Sequence, residues 1–132
     1  MENINEVREF FSKDRFATLN GMYIEEIGKG YAKCAMKITD DHKNALGALM
    51  GGVPYTLADF AFAVAANWQE AGTVSLNTNM TYLGKSKGEM LFAEAKCEKD
   101  GRTTCYYTID VYDDLGTRVA SAVTTGYHIS KQ

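Results

Sequence analysis

One proline (Pro54) and two histidines (His42 and His128) are all that 132 residues contain of either type. With twelve glycines scattered along the chain, nothing reads as a Pro- or Gly-rich linker, and a single domain over 1–132 is expected. Cysteine is scarce too. Cys34, Cys97 and Cys105 are odd in number, far apart, and lack CxxC spacing or a neighbouring His. That argues against a disulfide framework and a Cys/His metal centre, so no metal is expected. Buried reduced thiols are the expectation, and they fit a cytoplasmic location. An excess of positive charge is also missing: the net charge is -3, which gives no reason to expect nucleic acid or an anionic membrane as partner. The first residues, MENINEVREFFSKD, are charged throughout and lack the apolar stretch of a signal peptide.

The most telling shortage is local. From Asn44 to Gln69 the chain carries one charge, the carboxylate of Asp59. An acid in so apolar a run either faces a cavity or bears a desolvation cost, and perturbed acids concentrate at functional sites. The run approaches the length of a membrane span. Gly51, Gly52 and Pro54 break it near its start, however, and an acid near a bilayer centre costs roughly 2.5–3.5 kcal/mol. A buried helix of a soluble protein is the expectation, with no membrane partner.

Periodicity supplies the rest. Ile4, Val7, Phe10 and Phe11 recur at helical spacing and predict a short amphipathic N-terminal helix. Asn20-Gly21 marks a turn. MYIEEI and YAKCAMKI read as two strands around Gly28-Lys29-Gly30, with Ala32, Cys34, Met36 and Ile38 on the buried face. A polar loop, DDHKNALG, leads to a helix from about Pro54 to Asn67. That helix is apolar nearly all round, so protein is expected on every side of it. Four strands follow, with turns at Gly84–Gly88, Asp100-Gly101 and Asp113–Gly116. Short turns imply antiparallel neighbours. The fold class is α+β: a curled antiparallel sheet around one long central helix, plus the short N-terminal helix.

The segment NALGALMGGVPYTLADFAFA resembles the signature of hotdog-fold acyl-CoA thioesterases, in the PaaI-like (phenylacetate-pathway) branch. The pattern is Asn, Gly, His-Gly-Gly and then an acid nine residues after the His. Asn44, Gly47, Met50-Gly51-Gly52 and Asp59 hold those positions. VSLNTNMTYL and GTRVASAVTTGY resemble the family's central and terminal strands, so the likeness covers roughly residues 20 to 129. One departure stands out: Met50 replaces the His, and a thioether neither donates a hydrogen bond nor moves a proton.

The resemblance implies thioester hydrolysis, with no cofactor because coenzyme A is part of the substrate. Gly51 and Gly52, at a helix start, offer unpaired backbone N–H groups to a developing oxyanion. Asp59, nearly two turns along, would act as general base or nucleophile. From its position, Asp59 is expected to lie on the far side of its own helix start. The family's answer is that Asp59 of one subunit faces Asn44 and Gly51 of another, implying a homodimer and commonly a homotetramer. Asn44 would lie near the thioester carbonyl or the attacking water, and Ser75 at a hydroxyl position that places water. Lys85 and Lys87 could meet CoA phosphates or stand at a solvated hairpin tip. Tyr55 and Phe62 would line an acyl pocket or fill core, with core the safer reading. Met50 would adjoin the acyl group. Two other readings remain open: a non-catalytic module that binds acyl-CoA or another apolar acid, and hotdog dehydratase chemistry, which lacks a suitably placed His.

Overall fold

The computed structural model describes residues 1–129. Helix α1 (Ile4–Phe11) starts at Asn3, whose Oδ1 accepts the N–H of Glu6 while its Nδ2 donates to the Glu6 carboxylate. This reciprocal cap fixes the first turn. Val7 and Phe11 are buried, whereas Phe10, placed on the same stripe by its spacing, stays exposed. A second, five-residue helix, α2 (Arg15–Leu19), was not expected. Five residues are too short to show a period.

Strands β1 (Tyr23–Gly28) and β2 (Tyr31–Lys37) form the first hairpin, with Gly30 at φ +61 where the turn needs a left-handed residue. A one-turn 3-10 helix, Asp40–His42, sits in the polar loop. Helix α3 (Gly52–Asn67) starts two residues earlier than expected. Strands β3 (Thr73–Tyr82), β4 (Met90–Asp100), β5 (Thr104–Asp113) and β6 (Arg118–His128) complete one antiparallel sheet. The sheet packs against α3 chiefly through β4 and β2. Leu57, Ala61, Phe62 and Val64 of the helix meet Ala93, Ala95, Ile109 and Val111 of the sheet in one buried cluster. Phe62 and Tyr107 pack edge to face at 5.2 Å, so Phe62 belongs to the core.

Two expectations fail. Strand order is β1-β2-β4-β5-β6-β3, so β3 and β4 are not neighbours, and Gly84–Gly88 is a crossover rather than a hairpin tip. Its anchor is Asp113, which is 1% exposed. The Asp113 carboxylate accepts backbone N–H groups from Lys87, Gly88, Leu115 and Thr117, and the Ser86 hydroxyl. Burial pushes its pKa up, but the four backbone N–H groups outweigh that and hold it at about 2. Nor is α3 enclosed on all sides. Gly52, Tyr55 and Asp59 lie exposed along one face. Tyr55 is therefore not core.

Cys34 and Cys105 are buried thiols; Cys97 is only partly covered. Among the described residues, no helix is long and apolar enough to cross a membrane.

Candidate active site

Asn44 organises the loop ahead of α3. Its Oδ1 accepts the N–H groups of Leu46 and Ala48, at 3.0 and 3.1 Å, and its own backbone N–H donates to Ala48 O at 2.7 Å. Gly47 closes the loop at φ +80, which favours glycine. The Asn44 side-chain carbonyl is thus occupied, and only its Nδ2 group remains to meet a ligand.

The loop delivers the chain to Met50, Gly51 and Gly52. Met50 is held by its backbone N–H on His42 O, 2.9 Å, and its side chain is 56% exposed. Gly51 has ordinary helical angles, φ -57 and ψ -30, so the backbone does not demand glycine there. The Tyr82 hydroxyl donates to Gly51 O at 2.8 Å, and a Cβ on Gly51 would lie 3.3 Å from that hydroxyl. Among the described residues, the N–H groups of Gly51 and Gly52 have no acceptor. They open the N-terminal end of a sixteen-residue helix, where anions are favoured.

Asp59 sits on the exposed face of α3 with Gly52 and Tyr55. This corrects the expectation of an opposite face. Seven residues make almost two full turns, which returns Asp59 to the side of Gly52, about 10 Å further along the axis. Separation, not orientation, keeps it from its own glycine amides. Its side chain lines a cavity of about 240 Å³ with Asp14, Arg15, Phe16, Ala17, Thr56 and Phe60. Partial burial there raises its pKa, and the charge of Asp14 raises it further. Burial also raises Asp14, whose carboxylate does not cap α2 although it stands at its N-terminus. An acid with raised pKa is a stronger base once ionised.

Within one chain, these groups do not converge. Asn44 lines none of the described cavities, and Met50 and Gly52 line a different one from Asp59. Ser75 is exposed on β3, opposite Gly126, beside a bulge before Asn77. Lys85 and Lys87 are exposed in the crossover. The largest of the described cavities, about 490 Å³, holds none of the expected site residues and lies at the other end of α3. His128 on its wall bonds Thr73 Oγ1 through Nδ1 and Asp100 Oδ1 through Nε2, both at 2.7 Å, and so pins β6 in place.

Three residues escaped sequence reasoning. Tyr82 and Asp14 reach the site only through tertiary packing, from a strand end and from the start of α2. His42, in a polar loop two residues before Asn44, is set aside in the sequence because it does not match the position of the missing His.

Residues 46–120 match the profile of the thioesterase superfamily. A protein of Archaeoglobus fulgidus, whose name marks it as an esterase by inference, is 32% identical over 130 residues, covering 97% of this chain and 84% of that one. Human acyl-coenzyme A thioesterase 13 is 35% identical over 85 residues, 62% of this chain and 61% of that protein's length. Among solved structures, a single-residue variant of the phenylacetic acid degradation protein PaaI from Thermus thermophilus superposes with a TM-score of 0.81. It is 29% identical and covers 87% of this chain and 99% of that one. Sheet order, central helix and these likenesses agree: the chain belongs to the thioesterase superfamily, as a hotdog-fold thioester hydrolase of the PaaI-like branch.

Proposed function

We propose that the protein hydrolyses acyl-CoA thioesters in a site shared by two copies of its single domain. Asp59 of one copy faces Asn44 and the Gly51–Gly52 amides of the other. The observation that carries this reading is the pair of unpartnered amides at the start of α3, with an unpaired acid of raised pKa on the same face of the same helix, too far along to reach them. A second copy removes the separation.

The surface supports such a copy. Strand β3 is a ten-residue sheet edge whose Val74, Leu76 and Tyr82 are exposed, and Leu83 and Leu46 add to the apolar surface. An open apolar edge of that length is a template for pairing with another strand. Pairing β3 with its counterpart would continue the sheet, and further association gives the tetramer.

In the proposed step Asp59 takes a proton from water as the oxygen attacks the thioester carbon. The carbonyl oxygen becomes an oxyanion held by the Gly51 and Gly52 N–H groups. Collapse of the adduct breaks the C–S bond, and the thiolate of coenzyme A takes the proton from Asp59. The products are a carboxylic acid and free coenzyme A. The Asn44 Nδ2 group and the Ser75 hydroxyl would position the water, and Lys85 and Lys87 would meet CoA phosphates as exposed point charges. Met50 and Tyr55 flank the acyl group, which fits an aryl or medium-chain substrate. Exposure of the Met50 thioether in the cleft favours one second reading, acyl-CoA binding without turnover.

Thiol release from a panel of aryl- and medium-chain acyl-CoAs, followed in the parent and in Asp59→Asn, decides between them. Turnover that collapses by about 10³-fold or more in the variant is expected from loss of base or nucleophile. Equal turnover would refute the assignment of Asp59, and tight binding with no thiol release would support the second reading.

A further inference from the structure

We propose that His42 is a further catalytic residue of the cleft, its Nε2–H donating to the thioester oxygen beside the Gly51–Gly52 amides. This rests on the acyl-CoA reading above.

The ring is buried and held at Nδ1. His42 is 6% exposed and ends the 3-10 helix Asp40–His42. Its Nδ1 accepts the backbone N–H of Thr39 at 3.0 Å, with the Thr39 hydroxyl 3.3 Å away. Because Nδ1 accepts, the neutral ring carries its proton on Nε2. Its backbone oxygen accepts the Met50 N–H at 2.9 Å, which ties the His42 main chain to the turn that carries Gly51 and Gly52.

The Nε2 edge is left open. Among the described residues it has no partner, yet it is not sealed from a neighbouring space. His42 lines a cavity of about 200 Å³ with Met50, Gly52, Val53 and Thr56 from the start of α3. His42 also lines a second cavity, of about 350 Å³, together with Thr39, which holds Nδ1, but only the first is bordered by the start of α3. Of the side-chain donors nearby, the Thr56 hydroxyl donates to Gly52 O, and one Nδ2 hydrogen of Asn20 goes to Phe16 O, both at 2.8 Å. Asp41, on the rim, is an exposed acceptor. A buried N–H without a partner is disfavoured, so an open one beside free backbone amides has the character of a ligand contact. No bond is made or broken at the imidazole, which keeps its proton and stabilises negative charge on the oxygen as the carbon becomes tetrahedral.

Two substitutions separate this role from loop support. His42→Asn keeps an acceptor where Nδ1 stood and loses the donor at Nε2. His42→Gln keeps a donor near Nε2 and loses the acceptor for Thr39. The expected result for His42→Asn is a kcat lowered on the order of 10- to 100-fold with KM within about threefold, as for loss of one donor to a charged oxygen. His42→Gln should keep kcat within about threefold while melting earlier. The reverse order, with His42→Asn like the parent and His42→Gln impaired, would overturn the proposal. If His42→Asn melts below the assay temperature, His42→Gln decides, and loss of its turnover in a folded protein counts against the donor. A ketone analogue of acyl-CoA, with a methylene inserted between carbonyl and sulfur, gives a readout independent of turnover. If the parent releases no thiol, the hydrolase reading fails by itself. Weaker analogue binding by His42→Asn then still supports the donor, and equal binding refutes it.

Discussion

Replacing Asp113 with Asn tests how the crossover between β3 and β4 is held. The carboxylate is buried and accepts four backbone N–H groups, two on each oxygen, with the Ser86 hydroxyl on the Lys87 side. Its pKa falls from 3.8 to about 2. At about 1.4 kcal/mol per pKa unit, that preference for the ionised form is worth about 2.5 kcal/mol. An Asn side chain keeps one carbonyl oxygen but turns an NH₂ group toward two N–H donors. Those donors lose their acceptor inside the protein, so the total cost should be about 3 kcal/mol. Urea unfolding at pH 7 measures it.

The pH dependence gives a sharper check. A carboxyl whose pKa is lower in the folded state stabilises above its unfolded value of 3.8 and loses that contribution as pH falls through about 2. The gap between parent and Asp113→Asn should therefore be full above about pH 5 and shrink between about pH 4 and 2. Stability within about 0.5 kcal/mol of the parent at pH 7, roughly the scale of a neutral surface change, would refute the reasoning. So would a large gap that ignores pH.

Two further outcomes follow from the site. Tyr82→Phe removes the hydroxyl that donates to Gly51 O. It should lower stability by about 0.5–1 kcal/mol, visible as a small drop in Tm, and lower kcat up to about tenfold by loosening the glycine amides; an unchanged kcat would show the turn is rigid without it. Asp14→Asn removes the charge that adds to the burial-raised pKa of Asp59. On the proposed role, turnover needs ionised Asp59 and rises with pH through its raised pKa; the acid-side inflection of kcat/KM should move to lower pH in the variant, and an unmoved inflection would mean Asp14 does not act on Asp59.

Local chemistry wrote much of this plainly into the sequence. The Gly-Gly-x-Pro break announces where α3 begins, and Asp59 stands out because no other charge shares its run. The alternation read in β2 appears as buried Ala32, Cys34 and Met36, with Ala35 buried as well by its place in the sheet. What stayed hidden depends on long-range pairing. Thr73–Tyr82 looks like the first of four hairpin-linked strands, and nothing within it states that its partner is β6, far later in the chain. Asp113 reads as an ordinary turn acid because its partners at Lys87 and Gly88 lie across that unexpected crossover. Tyr82 is invisible as a site residue for the same reason.

The exposed face of α3 and the open edge at β3 are one observation seen from two sides. A helix of this composition predicts cover on every side, yet Tyr55 and Asp59 are uncovered in the single chain. A sheet edge predicts either protection by charge, proline or brevity, or a partner. Strand β3 has none of those protections: it is ten residues long, with Val74, Leu76 and Tyr82 exposed and no lysine or proline. Tyr82, at the end of that edge, is also the residue bonded to Gly51. The surface expected to meet a second copy is thus joined by one hydrogen bond to the turn that would hold the oxyanion. The proposed shared site therefore predicts that assembly and site geometry are coupled: a substitution that blocks pairing at Leu76 should remove activity without touching Asp59, Asn44 or either glycine. Thiol release read beside the oligomeric state in solution checks it, and a monomeric Leu76→Lys variant with full turnover would break the coupling.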